Sequence, residues 1–175
     1  MKEYYIALEP AERLSKMVTG LKRSAKNMVD DSSSLEYADD PTHITLCIFR
    51  GDYNKVIRSL DGYKLDHISV DLNRWKIFKD DIFTGYDTVV CNVLYPDFLR
   101  IFQGFIINNL CSEYQNHYPY KCKKWIPHVT IASMPRKYQQ KFRMNYLAPC
   151  FKAIFDKLTI REVGTNKLIK RWKLN

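Results

Sequence analysis

Two short segments of the chain repeat the same alternation of polar and apolar residues. Residues 41–46 read PTHITL, and residues 126–131 read IPHVTI. Residues i and i+2 of a β-strand share one face. We therefore predict that His43 lies beside Thr45, and His128 beside Thr130, while the apolar residues between them point into the core.

Histidines presented in this way suit acid–base catalysis at a phosphodiester. A neutral imidazole can take a proton from the attacking oxygen while a protonated one gives a proton to the leaving oxygen. Histidine serves both roles because its pKa lies near neutrality, and threonine hydroxyls can hold the phosphoryl oxygens. The predicted catalytic residues of a metal-independent phosphodiesterase are His43, Thr45, His128 and Thr130, and which histidine is the acid stays open.

The remaining histidines and the cysteines lack such a setting. His67 and His117 are predicted to be surface or structural residues. No group of His, Cys and carboxylates has metal-ligand spacing, so neither a metal nor another cofactor is expected. The five cysteines form no C-x-x-C pair. Cys47 and Cys91 lie in apolar runs and are predicted to be buried, inert thiols.

Hydrophobic periodicity predicts the elements that position the two motifs. Helices are predicted over residues 11–29, 53–60, 96–114 and 135–146. Strands are predicted over residues 4–8, 43–49, 65–78 (with a break near residue 73), 88–95, 125–132, 151–163 and 168–174. The order strand, long helix and motif strand occurs twice, which predicts one domain, residues 1–175, of two similar lobes that face each other across a groove.

Composition narrows the class of protein. The chain has 175 residues, 46% of them hydrophobic, and a formal net charge of +9. No apolar run approaches the length of a membrane span, and the N-terminus lacks the pattern of a signal peptide. We expect a cytoplasmic monomer with no membrane association, whose positive charge favours nucleotides or nucleic acids as partners.

The motifs and the order of the elements around them resemble the 2H phosphoesterase superfamily, the LigT-like group. Its motif is His, an apolar residue, Thr or Ser, and another apolar residue, given twice; here it appears at residues 43–46 and 128–131. The resemblance implies an α+β fold, bilobal and pseudo-symmetric, in which two antiparallel sheets flank a central groove with the helices outside. It also implies cleavage of bonds to ribose 2′ or 3′ oxygens.

The resemblance also limits the substrates to be considered. Known members open 2′,3′-cyclic phosphates, process RNA ends through 2′ linkages, degrade 2′-5′ oligoadenylate or linearise cyclic nucleotide signals, and the last two kinds occur in viruses and phages. We expect a cyclic dinucleotide such as 2′,3′-cGAMP, with 2′-5′ oligoadenylate and RNA 2′,3′-cyclic phosphates as alternatives. Richness in Ile, Lys, Asn and Tyr hints at an AT-rich viral genome and a role in immune evasion. A non-enzymatic nucleic-acid-binding module is the alternative from a different class.

Substrate contacts beyond the motifs require aromatic faces for bases and cations for phosphates. The candidates near the predicted groove are Tyr5, Arg50, Lys124, Trp125 and Trp172. Each has an ordinary alternative, since Tyr and Trp often pack in the core and Arg and Lys often face solvent. Three further aromatic residues lie within residues 75–86, a candidate lid whose position the sequence does not give.

Overall fold

The structure, a computed structural model, describes residues 2–29, 35–79, 84–110 and 124–175. It contains seven strands and four helices in these ranges. In chain order they are β1 (Glu3–Pro10), α1 (Glu12–Met28), β2 (Ile44–Arg50), α2 (Tyr53–Leu60), β3 (Ile68–Phe78), β4 (Thr88–Leu94), α3 (Asp97–Asn109), β5 (His128–Ser133), α4 (Arg136–Asn145), β6 (Phe151–Glu162) and β7 (Leu168–Lys173). None of the described helices is long and apolar enough to cross a membrane.

The strands form one antiparallel sheet in the order β2-β1-β6-β3-β4-β5, and β7 also pairs with β6. Strand β6 joins the two lobes, because its second half pairs with β1 and β7 while its first half pairs with β3. The predicted α+β fold is confirmed, and the two expected sheets are continuous through β6. Both motif strands, β2 and β5, lie at the edges of this sheet.

A bulge in β6 keeps both motifs on one face of the sheet. Glu9 pairs with Lys157 and the next residue, Pro10, pairs with Phe155, so Asp156 is the additional residue. One extra residue in a strand reverses the faces that its neighbours occupy. Following the pairing across the sheet, Thr45 and Thr130 consequently lie on the same face, which we call the groove face, and the helical core lies on the other.

Helices α1 and α3 cover the core face. The buried positions of α1 are Leu14, Val18, Lys22 and Ala25, and those of α3 are Leu99, Gln103 and Ile106, both at helical spacing. Burying each large aliphatic side chain contributes about 1.5–3 kcal/mol. Each helix also reaches the motif strand of the other lobe, α1 approaching β5 and α3 approaching β2 within 8 Å between Cα atoms, so the helices hold the two lobes together.

The predicted elements are confirmed with small shifts at their ends. Strand β5 begins at His128 rather than at residue 125, because Pro127 has no N–H to donate to a neighbouring strand. Strand β3 runs unbroken to Phe78, and the break expected near residue 73 is a bulge between Asn73 and Trp75. Helix α3 ends at Asn109 with Leu110 as its C-cap, and residues 111–114 of the predicted helix lie outside the described residues.

Candidate active site

Both motif strands carry a bulge at the fourth residue of the motif. Ile6 pairs with Cys47 and Ala7 with Thr45, so Leu46 is left over. In the other lobe Val89 pairs with Ala132 and Val90 with Thr130, so residue 131 is left over. Bulges of this kind redirect neighbouring side chains and are frequent beside active sites. The two motifs therefore share a backbone irregularity as well as a sequence.

The bulge in β2 leaves a carbonyl that needs a partner, and α3 supplies one. Gln103 is fully buried and its Nε2 donates to the Leu46 carbonyl oxygen at 2.8 Å. A buried carbonyl without a donor costs about 1–3 kcal/mol. The side chain of Gln103 thus compensates for the irregular backbone directly after Thr45.

The His43 ring is held at both nitrogens. Its Nδ1 lies 2.7 Å from the Pro41 carbonyl oxygen and its Nε2 lies 3.0 Å from Thr45 Oγ1. A carbonyl can only accept, so Nδ1 carries a proton, and in the neutral ring Nε2 accepts from the Thr45 hydroxyl. The Tyr5 ring packs against the imidazole with 5.1 Å between centroids.

His128 repeats this arrangement in the second lobe. Its Nδ1 lies 2.8 Å from the carbonyl oxygen of Ile126, again two residues before the histidine, so Nδ1 carries a proton here too. Phe78 meets the imidazole edge to face, with 4.6 Å between centroids and an interplanar angle of 89°. Both histidines therefore leave Nε2 as the nitrogen that can exchange a proton with a substrate.

The segment before His43 connects the two lobes. Glu36 exchanges two backbone hydrogen bonds with Ser133, the last residue of β5, at 3.2 and 3.0 Å. Strands β2 and β5 also approach within 8 Å between Cα atoms. Both lie at edges of the sheet, so the sheet curves until its two motif strands are neighbours. The two His-Thr pairs share one groove face at this junction.

Charged groups from α1, from β1 and from the loop before β2 influence the pKa of His43. Burial lowers the pKa of His43 below its ordinary value because it penalises the imidazolium; Lys22 acts in the same direction, while the bond to Pro41 and the charges of Asp40 and Glu9 oppose it. Lys22 is 4% exposed and donates to the carbonyls of Tyr37 and Asp40 at 2.9 and 2.8 Å. Burial lowers the pKa of Lys22 to about 8.

A chain of hydrogen bonds fixes Tyr5 beside His43. The Tyr5 hydroxyl donates to Asn166 Oδ1 at 2.7 Å, and Asn166 Nδ2 donates to Asp40 Oδ1 at 2.6 Å. Burial raises the pKa of Tyr5, so the phenol stays protonated and can donate. The turn between β6 and β7 thereby anchors both an aromatic neighbour of His43 and the loop that leads to it.

The structure brings some of the predicted substrate-binding residues to the groove face and not others. Tyr5 lies beside His43, although it is 6% exposed. Arg50 lies on the groove face at the far end of β2, where its Nε donates to Glu3 Oε1 at 2.6 Å. Lys124 is exposed just before the second motif, and its contact with a substrate stays a prediction.

The two tryptophans occupy positions that contradict their predicted stacking role. Trp125 is 1% exposed, so neither face of its ring is open to a base. Trp172 pairs with Leu158, and the next pair along the two strands, Thr159 with Arg171, lies on the face of Thr45. Because neighbouring residues of a strand point to opposite faces, the Trp172 side chain lies on the face opposite to Thr45. There its Nε1 donates to Asp61 Oδ1 at 2.6 Å.

Phe78 and Lys76 were not assigned to the site from the sequence. Phe78 stands against His128, and the Lys76 amine lies 5.6 Å from the centroid of the Phe78 ring. Register explains the placement of Lys76, because Thr130 pairs with Val90 and Val90 pairs with Lys76. The alternation of β3 was the available signal, but its bulge had to be known before the faces could be assigned.

The other predicted roles can also be compared with the structure. His67 is exposed and its Nδ1 lies 2.8 Å from the Asn175 carbonyl oxygen, which fits the predicted surface role; His117 lies outside the described residues. Cys47 and Cys91 are buried as predicted, and burial raises the pKa of each thiol to about 12. Within the described ranges, no three His, Cys, Asp or Glu residues converge as a metal site would require.

Several solved structures have a fold similar to that of this chain. Usb1 of Kluyveromyces marxianus matches with a TM-score of 0.60 at 13% identity, covering 99% of this chain and 98% of that chain. LigT of Escherichia coli complexed with 3′-AMP matches with a TM-score of 0.60 at 11% identity and the same coverage. TT0787 of Thermus thermophilus gives a TM-score of 0.61 at 14% identity, covering 98% and 97%. LigT has also been solved with ATP and with NADP+.

No protein-family model matches the sequence, and no curated protein matches it either. The solved structures match over nearly the full length of this chain, at TM-scores of 0.60 and 0.61, and they define its fold. The chain thus has the LigT-like 2H phosphoesterase fold, as its two motifs predicted.

Proposed function

We propose that this protein is a metal-independent phosphodiesterase that cleaves 2′-5′-linked nucleotides with His43 and His128 as its acid–base pair. The observation that carries the proposal is the duplicated local geometry. In each motif a carbonyl two residues upstream accepts from Nδ1, which leaves Nε2 to act. Thr45 and Thr130 lie on the same face as the histidines and would hold the phosphoryl oxygens.

The two histidines are assigned different roles. The lowered pKa of His43 keeps its imidazole neutral at pH 7, which suits the group that takes a proton from the attacking water or ribose hydroxyl. His128 then gives its proton to the leaving ribose oxygen. The bond from phosphorus to the attacking oxygen forms as the bond to the leaving oxygen breaks, and one proton enters the pair while one leaves it.

The proposed substrate is a cyclic dinucleotide such as 2′,3′-cGAMP, with a role in immune evasion. The fold supports a nucleotide ligand, since LigT structures of this fold hold 3′-AMP and ATP. Tyr5 and Phe78 lie beside the two histidines, so an aromatic ring packs against each imidazole of the proposed acid–base pair. Degradation of 2′-5′ oligoadenylate and opening of RNA 2′,3′-cyclic phosphates use the same chemistry and are the alternative activities.

A substrate panel tests the proposal. Purified protein in EDTA is incubated with 2′,3′-cGAMP, its 3′-5′-linked isomer, 2′-5′ oligoadenylate and a nucleoside 2′,3′-cyclic phosphate, and the products are separated by chromatography. We expect turnover of the 2′-5′-linked substrates and none of the 3′-5′-linked isomer. Loss of activity in EDTA would refute the metal-independent mechanism, and tight RNA binding without any turnover would favour the binding module.

Histidine variants test the assigned roles. His43→Ala and His128→Ala should each lower kcat by about 10²–10⁴-fold, the usual contribution of a general acid or base. His67→Ala is the matched control, because His67 is exposed and also has its Nδ1 beside a carbonyl oxygen, that of Asn175. A control variant as inactive as the other two would show that the losses come from the fold rather than from the reaction.

A further inference from the structure

Strand β7 carries positive charge on the groove face. Thr45 pairs with Ala7, Ala7 with Thr159 and Thr159 with Arg171, so these side chains form one row across four strands. Lys173 pairs with Lys157 in the adjacent row and shares the face of Arg171. The catalytic motif of the first lobe and the cations of β7 therefore belong to one continuous surface.

The charge on this face of β7 is only partly compensated. Glu9 is 7% exposed and its Oε1 accepts from Arg161 Nε at 2.6 Å and from Thr159 Oγ1 at 3.2 Å. Arg171 Nη2 lies 3.6 Å from Glu9 Oε2, beyond hydrogen-bonding distance, and the Arg171 side chain is 47% exposed. Glu9 thus orients Arg171 without occupying its donors, because Arg161 already neutralises the carboxylate.

The opposite face of β7 differs. Lys170 Nζ lies 3.3 Å from Asp61 Oδ1 and its amine lies over the Trp172 ring at 5.5 Å. On the groove face, by contrast, Lys173 has no carboxylate within 4.0 Å among the described residues. An exposed guanidinium with unoccupied donors is the group that best recognises a phosphate in two-point geometry.

The distance between Arg171 and Thr45 fits a second phosphate that lies one nucleotide away from the scissile one. Three strand spacings of about 4.8 Å put the Arg171 Cα about 14 Å from the Thr45 Cα. An extended arginine side chain spans about half of that distance at ordinary bond lengths. The residues between them in the row, Ala7 and Thr159, are fully buried, so the nucleotide between the two phosphates would lie on the side chains that cover this row.

We propose that Arg171, supported by Lys173, forms a second phosphate subsite, which selects substrates with another phosphate one nucleotide from the scissile one. The inference rests on the proposed phosphodiesterase function. It narrows the substrate to dinucleotides with two phosphates, such as cyclic dinucleotides, and to longer chains. A nucleoside 2′,3′-cyclic phosphate has a single phosphate and leaves this subsite unused.

The test compares a 2′-5′-linked triadenylate, which has two phosphates, with the corresponding diadenylate, which has one. For the wild-type protein we expect a KM for the diadenylate on the order of tenfold above that for the triadenylate, the effect of one charge-assisted hydrogen-bonded contact. Arg171→Gln should bring this ratio close to one. Lys170→Gln, which makes the same charge change on the opposite face, should keep the wild-type ratio of KM values. Arg171→Lys keeps the charge, so its ratio should lie between that of the wild type and that of Arg171→Gln.

The results distinguish failure of the phosphate subsite from failure of the proposed phosphodiesterase function. A wild-type ratio near one, or equal changes in Arg171→Gln and Lys170→Gln, would overturn the subsite. If the wild-type protein cleaves neither oligonucleotide, calorimetric titration of the same two oligonucleotides decides the subsite, and the proposed function fails if 2′,3′-cGAMP is not cleaved either. Weaker binding of the triadenylate alone in Arg171→Gln supports the subsite, and equal affinities in both proteins overturn it.

Discussion

Replacing Asn166 by glycine should destabilise the protein through two hydrogen bonds while leaving the turn backbone intact. Asn166 has a φ of 55°, in the left-handed region where asparagine and glycine are tolerated. Its side chain accepts from the Tyr5 hydroxyl and donates to the Asp40 carboxylate. Glycine keeps the backbone conformation and removes both bonds.

The size of the effect follows from these contacts. The bond with Tyr5 is neutral and contributes about 1 kcal/mol, and the bond to the Asp40 carboxylate contributes at least as much. Both Asn166 and Asp40 are half-buried, so we take the lower end for the charged bond. We expect Asn166→Gly to lower the free energy of unfolding by about 2–3 kcal/mol, because the nearly buried Tyr5 hydroxyl also loses its acceptor. Asn166→Ala should cost a further 1–2 kcal/mol, roughly, for an L-residue with a side chain in this region.

Urea unfolding followed by tryptophan fluorescence measures these differences as shifts of the midpoint at constant slope. A double-mutant cycle with Tyr5→Phe isolates the contact between Tyr5 and Asn166, for which we expect a coupling of about 1 kcal/mol. Thr165→Ala is the control in the same turn, since Thr165 is exposed and accepts one long bond of 3.3 Å from the Lys167 N–H. If Asn166→Gly is as stable as the control, or Asn166→Ala as stable as Asn166→Gly, the reasoning is refuted.

Other residues give further tests. Gln103→Leu should cost about 1–3 kcal/mol in urea unfolding, because it leaves the bulge carbonyl of β2 without its donor; a change below about 0.5 kcal/mol would contradict that role. Lys22→Met should move the acidic limb of the pH profile of kcat/KM to higher pH, since the Lys22 charge lowers the pKa of His43. An unchanged acidic limb would show that the Lys22 charge does not influence His43. Alkylation of the folded protein followed by mass spectrometry should label Cys150 and spare Cys47 and Cys91, whose pKa values burial raises to about 12.

The pH dependence of folding follows from the same histidine. The folded-state pKa of His43 is lowered, so the unfolded chain binds more protons in the range between that pKa and the ordinary value of 6.5. The contribution of His43 to stability is therefore present above the ordinary pKa and is lost as the pH falls through the folded pKa. Replacing His43 by Gln should make urea midpoints less sensitive to pH in this range. Equal sensitivity in both proteins would show that the imidazole is not protected from charging by the fold.

The motif residues could be predicted because their signal is local. A period of two over six residues fixes which side chains share a face, and the same pattern at residues 41–46 and 126–131 identified both strands. The positions of Trp172 and Phe78 depend instead on register between strands that are distant in the sequence. A shift of one residue reverses the face of every side chain in a strand, so the faces on which these two residues lie could not be predicted from the local sequence.

The buried polar residues could not be predicted in the same way. Lys22 lies on the apolar stripe of α1 between Val18 and Ala25, and Gln103 occupies a similar place in α3. Periodicity treats such residues as interruptions of a hydrophobic face. Each in fact satisfies carbonyl oxygens outside regular pairing, in the loop before His43 and at the bulge after Thr45, and such irregular backbone cannot be anticipated from the local sequence.

The two lobes repeat a geometry but surround it with different chemistry. The proposed mechanism requires one neutral and one protonated imidazole, because two imidazoles in the same state would leave one proton transfer without a donor or an acceptor. In the first lobe the imidazole is surrounded by the charges of Lys22, Asp40 and Glu9. In the second it faces the Phe78 ring and pairs in register with Asn92. The duplicated backbone can thus place two equivalent Nε2 atoms, while the unequal neighbours support the opposite roles that we propose for them.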